Sequence, residues 1–191
     1  MRSAKRPESH PIRDGMAQAL RGAGGIFTES SEAVARAVTA AIHEAGMAGD
    51  AAANRIAEVI KSAVGGIDST EEDSAAAIKG ICVGVLRGTR ESGAAASRTI
   101  VRTSGTVIRE TLRRGGDVAH ATRGLVRGAV HGAKELGLDA SEAASSAASA
   151  ALDAAEESGA AAAERVRAAV EDTVDGFRVI LRRKDRQQGH P

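Results

Sequence analysis

The chain has 191 residues and a formal net charge of +1; its 42% apolar content is carried largely by alanine, with two Phe and no Trp or Tyr. A buried alanine contributes little beside the roughly 1.5–3 kcal/mol from burying a Val, Leu, Ile or Phe, so a thick globular core is excluded and any core must be thin and close-packed. Three prolines (Pro7, Pro11, Pro191), one cysteine (Cys82) and no run of about 18 apolar residues exclude a proline break after Ile12, an internal disulfide and a membrane-spanning helix.

In chain order, residues 1–11 read as a disordered basic arm, because charges and prolines dominate and no apolar signal-peptide core is present. Residues 12–185 read as a helical repeat region and residues 186–191 as a disordered tail. The repeat comes out by counting, which precedes any other assignment. Steps of 22 from Leu20 reach Ile42, Val64, Leu86, Ile108, Val130, Leu152 and Val174, all aliphatic. The midpoints, from Ser31 through Ala53, Ala75, Ser97, Ala119 and Ser141 to Ala163, are all small. A second line alternates Val38, Ile60, Cys82, Val126 and Val170 with Gly49, Gly93, Gly115, Gly137 and Gly159; Glu71 breaks it. A third runs from Ile12 through Val34, Ile56, Ile67, Ile78, Ile100 and Val166 to Phe177.

Eleven residues in three turns is about 3.67 per turn, so each line runs nearly along a helix axis and together they form one apolar arc of roughly 100°. Glu32, His43, Arg87, Arg98, Arg109, His120, His131, Glu142 and Glu164 share the opposite side. The expected fold is all-α: long amphipathic helices of 11/22-residue repeats, packed as elongated hairpins, a coiled coil or an oligomeric bundle. Two forms stay open: a continuous helix with glycine-softened joints, or turns near 46–50, 65–69 and 115–117. Asp50, Asp117 and Asp139 follow glycines closely enough to cap new helices, and Asp139 with Glu142 has capping-box spacing.

Two glycine ladders, Gly80/Gly84/Gly88 and Gly124/Gly128/Gly132, lie 44 residues apart. Small residues four apart let helix backbones approach closely. Charge falls in blocks: about +3 over 1–28, −6 over 29–73, +8 over 79–134, −8 over 135–176 and +4 over 178–186. Antiparallel folding at a glycine joint, or staggered self-association, brings opposite blocks together.

Nothing points to chemistry. His120 and His131 would stand about 16 Å apart on one helix, too far to share an ion. His131 and Glu135 can meet at i,i+4 as a solvated pair. Cys82, on an apolar line beside Ile78 and Leu86, reads as buried filler. Glu71–Glu72 and Glu156–Glu157 point to different helix sides, and no phosphate-cradling loop or Cys-x-x-Cys occurs. The expectation is a non-enzymatic protein with no catalytic, cofactor-binding or metal residue. Nucleic acid fits poorly, since no aromatics accompany the basic block and acidic blocks flank it.

The eleven-residue amphipathic period resembles that of late-embryogenesis-abundant proteins, synucleins, perilipins and exchangeable apolipoproteins. GAVHGAKELGLDASEAASSAASAALDAAEE, from residue 128 to 157, is similar to bacterial Ala/Gly-rich repeat proteins. The likeness spans nearly the whole chain but is a shared period without a shared motif. Arg stands where late-embryogenesis and synuclein repeats favour Lys, and Gly where apolipoproteins use Pro. The resemblance therefore carries over no functional residue.

Two roles follow for the apolar face. As a scaffold, the chain packs against itself or another helical protein, large side chains entering gaps at small positions; Ala53, Ala119 or Gly137 changed to Leu would then disrupt it. As a lipid-surface protein it lies on an anionic membrane, and the same changes strengthen binding. A desiccation-protectant chain is a third reading. A cytoplasmic location is expected for the first role, with peripheral attachment to a membrane or lipid surface for the second.

Overall fold

In the computed structural model, residues 25–44, 50–67, 71–89, 93–171, 176 and 179–181 are described. Leu20, Val174, Phe177 and both terminal segments expected to be disordered lie outside them. The described residues form seven helices and no strand: α1 (Ile26–Glu44), α2 (Asp50–Gly65), α3 (Glu71–Thr89), α4 (Gly93–Arg113), α5 (Val118–Glu135), α6 (Ala140–Ser158) and α7 (Ala160–Val170). The all-α expectation holds. Of its two forms, the molecule takes the one with turns, and takes it at more places than glycine pairs alone suggest.

The joints follow the 22-residue period. Gly115, Gly137 and Gly159 all have positive φ (72°, 69° and 130°), a region that L side chains rarely adopt. At the first two, the chain leaves the helix in the same way. Gly116 N–H donates to Thr111 O (2.9 Å) and Gly115 N–H to Leu112 O (3.0 Å); 22 residues on, Leu138 N–H donates to Ala133 O (2.8 Å) and Gly137 N–H to Lys134 O (3.4 Å). These are paired 6→1 and 5→2 bonds, which satisfy the last carbonyls of a helix. An aspartate two residues past Gly115 and another two past Gly137 then start the next helices. Asp117 Oδ1 accepts from Ala119 N (2.7 Å) and His120 N (3.1 Å), and Asp139 Oδ1 accepts from Glu142 N (2.8 Å). Asp139→Ala is expected to cost about 1 kcal/mol, read as a lower urea midpoint at unchanged slope.

Helices pack against their second neighbours as well as their first. α1, α3, α5 and α7 form one layer and α2, α4 and α6 the other. Within a layer the described contacts run parallel: α3 meets α1 with Gly80 near Phe27 and Ser30, Gly84 near Ser31 and Val34, and Gly88 near Val38. Four cross-helix polar contacts share nearly one separation. Thr39 Oγ1 donates to Gly88 O, Arg87 to Glu135, Arg109 to Glu157 and Arg114 to Gly65 O, each 48 or 49 residues apart. That is the 44-residue unit plus roughly one helical turn of stagger. Such stacking of one helix pair on the next describes a short two-layer solenoid.

The core runs between the layers and is alanine-rich toward its C-terminal end, where α6 buries Ala143, Ala144, Ala147, Ala148, Ala151 and Ala155. Residues 179–181 return onto α6. Ile180 N–H donates to Ser145 Oγ (3.1 Å), while Val179 and Leu181 pack on the core.

Candidate interaction surfaces

The apolar lines close on one another within a single chain. Val34, Val38, Ile60, Val64, Ile78, Cys82, Leu86, Ile100, Ile108, Val126, Val130, Leu152, Val166 and Val170 are all buried; Ile42 and Ile56 are half-buried against the same core. The size alternation has a different origin from the expected knobs and gaps. Ser97, Ala119, Ser141 and Ala163 fall in the first turns of α4, α5, α6 and α7, whereas Leu86, Ile108, Val130 and Leu152 sit toward the ends of α3 to α6. Large and small therefore mark helix end and helix start. Gly137 has open space where a side chain would go, and Ala53 faces a groove described below, so neither is a filled socket.

Both glycine ladders are close-approach seams. A Cβ on Gly84 would lie 2.5 Å from Ser31 O, and one on Gly88 2.7 Å from Val38 Cβ. On the next seam, a Cβ on Gly124 would lie 2.6 Å from Ala75 O, one on Gly128 2.6 Å from Cys82 Cβ, and one on Gly132 would run into Leu86. The first ladder seats α3 on α1 and the second seats α5 on α3. Counting back 44 residues from Gly80, Gly84 and Gly88 reaches Arg36, Ala40 and Glu44, all exposed on α1.

Over these seams lies a polar cluster shared by three helices. Arg87 on α3 donates to both carboxylate oxygens of Glu135 on α5 (2.8 and 2.6 Å) and to Ser31 Oγ on α1 (3.2 Å). His131 Nε2 stands 3.1 Å from Glu135 Oε1, so the expected i,i+4 pair forms, though as part of this larger group. The His131 ring meets Phe27 edge-on at 5.1 Å, and Lys79 Nζ sits 4.4 Å over the Phe27 ring. The bond from Arg87 lowers the Glu135 pKa, and the same bond raises that of Arg87. Phe27 is hard to anticipate, because its partners are some 50 and 100 residues away and only the stagger of the solenoid brings them together.

Opposite charge blocks do meet, by a route other than the antiparallel one. Arg87–Glu135 and Arg109–Glu157 join the basic centre to the acidic stretch that follows, between parallel second neighbours. A third charged group centres on Glu110 of α4, whose buried carboxylate accepts from Arg113 and Arg114. Cys82 is fully buried with its Cβ against Gly128, and burial pushes its thiol up to about 12. Among the described residues no three His, Cys, Asp or Glu side chains cluster as metal ligands do, and no helix is long and apolar enough to cross a membrane.

Within the second layer, α2 and α4 leave a groove between them. It has a volume of about 280 Å³ and is lined by Ala52, Ala53, Ile56, Ala57 and Ile60 of α2 and Thr99, Arg102, Thr103 and Thr106 of α4, with Ile42 of α1 and Thr89 of α3. Comparison of the chain with protein-family models, with the curated proteins and with the solved structures finds no match.

Proposed function

We propose that the protein is a non-enzymatic helical-repeat scaffold of the cytoplasm, which folds alone and then acts by packing against a partner chain. The observation that carries this reading is the burial of the apolar lines inside one protomer. Among the described residues only Val101 and Ile180 are large, apolar and exposed. A helix that works by lying on lipid needs its apolar face at the surface, and here that face is already covered. What remains outside is polar and divided by sign. Arg98, Arg102, Arg113 and Arg123 are exposed on α4 and α5, and Glu142, Glu157 and Glu164 on α6 and α7. A helical partner with the complementary pattern fits this surface, and a second copy shifted by two helices has that pattern.

Circular dichroism and sedimentation, at low and high salt and then with anionic vesicles, test the reading. The expected result is high helicity and a cooperative melt in buffer, no added helicity with vesicles, and self-association that weakens as salt screens the charges. Helicity that appears only with vesicles would replace the scaffold by a lipid-surface protein.

A further inference from the structure

We propose that the groove between α2 and α4 binds the carboxylate form of a medium-chain fatty acid. The repeat itself marks the groove as an exception. Adding 44 to Thr99, Thr103 and Thr106 reaches Ala143, Ala147 and Ala150, all buried, and on those alanines α6 closes against its neighbours. In the first unit the corresponding stripe is three threonines with Arg102 among them, and the space stays open.

The two walls differ in chemistry. Ile42, Ile56 and Ile60 give an apolar wall long enough for an acyl chain, and the alanines between them keep it shallow. Facing it, Thr99, Thr103 and Thr106 give a polar wall of threonines on α4. Arg102, exposed at the rim, makes no ion pair among the described residues, and no carboxylate lines the groove. A rim cation without a carboxylate beside it, a wall of threonines and an apolar wall select a monoanion with an aliphatic tail. The volume is near the lower end of small-molecule sites, about 300–1,000 Å³, which limits the chain to medium length.

Isothermal titration of the full chain tests this, with decanoate as probe below its micelle concentration and decyltrimethylammonium as the cationic control. Decanoate is expected to bind one to one and at least tenfold tighter than the control. Arg102→Gln should weaken decanoate about tenfold, the loss of one charge-assisted contact, and leave 1-decanol unaffected. Ala53→Leu should fill the groove, abolish decanoate binding and leave the melting temperature equal or higher. No binding of decanoate, or unchanged binding by Ala53→Leu, overturns the proposal. So does a lower melting temperature for Ala53→Leu, because the space would then already be occupied by the chain. None of these outcomes bears on the scaffold reading, which stands or falls on helicity and self-association without ligand.

Discussion

Gly128→Ala is expected to destabilise the protein while Gly105→Ala, the same substitution one helix earlier, stabilises it. Both glycines are buried in helix interiors, at neither is φ positive, and both changes raise helix propensity by up to about 1 kcal/mol. They differ in what the new methyl group meets. At Gly128 it would stand 2.6 Å from Cys82 Cβ and 2.8 Å from Lys79 O, and neither atom can move without shifting α3. Overpacking of this kind costs about 1–3 kcal/mol, and a backbone obstacle places the cost toward the upper end. At Gly105 the nearest atom is an Arg109 guanidinium nitrogen at 3.2 Å, the far end of a half-exposed side chain that can swing away. Urea unfolding followed by circular dichroism reads both. Stabilisation by Gly128→Ala would mean that α5 does not sit on α3 at ladder distance, and destabilisation by Gly105→Ala that Arg109 cannot move aside.

That contrast also shows how far the sequence could be read. The 22-residue period is legible by counting, and so are the apolar lines and both ladders. Their arrangement is not, for a geometric reason. Twenty-two residues make six turns, so one period suits equally a straight stripe on a continuous helix and a new helix in every unit. What separates the two is backbone conformation at Gly115, Gly137 and Gly159, and the strings GGD at 115–117 and GLD at 137–139 are its trace. A glycine with an aspartate two residues later, repeating every 22, signals a helix end followed by a helix start.

The parallel pairing of charges is not legible in the blocks. Block charges constrain which segments attract and say nothing of direction, whereas the 44-residue gap between ladders already implies that every second helix repeats the same contact. Arg87–Glu135 and Arg109–Glu157 obey that gap plus one turn. The groove lies beyond sequence reading for a related reason. Thr99, Thr103 and Thr106 stand out only by comparison with the buried alanines 44 residues later, Ala143, Ala147 and Ala150.

Glu110→Gln is expected to lower stability by about 2 kcal/mol at neutral pH and by little in strong acid. Glu110 is 5% exposed, and it is held by three charge-assisted bonds. Arg113 donates to both oxygens (2.8 and 2.6 Å) and Arg114 to one (2.7 Å). The bonds from Arg113 first, and then those from Arg114, outweigh the desolvation and bring the carboxyl from 4.5 to about 2. Arg114 also lies along Gly65, with Nη1 3.5 Å from its carbonyl at the end of α2, so the group ties the close of α4 to the close of α2. A cation at the end of a helix is favoured by the helix dipole. The folded-state value lies below the ordinary one, so the ionised carboxylate stabilises fully above about pH 4.5. That stabilisation is lost as pH falls through about 2. A shift of this size corresponds to about 3 kcal/mol at most, and the exposure of Arg113 to water brings the expectation down to about 2. Urea unfolding of both proteins at several pH values should therefore give stability curves that are separate at neutral pH and converge as pH falls to about 2. Curves that stay parallel throughout would mean that Glu110 contributes through packing and neutral hydrogen bonds alone. A variant with unchanged stability at neutral pH would mean that the Arg113 and Arg114 bonds do no more than replace those to water.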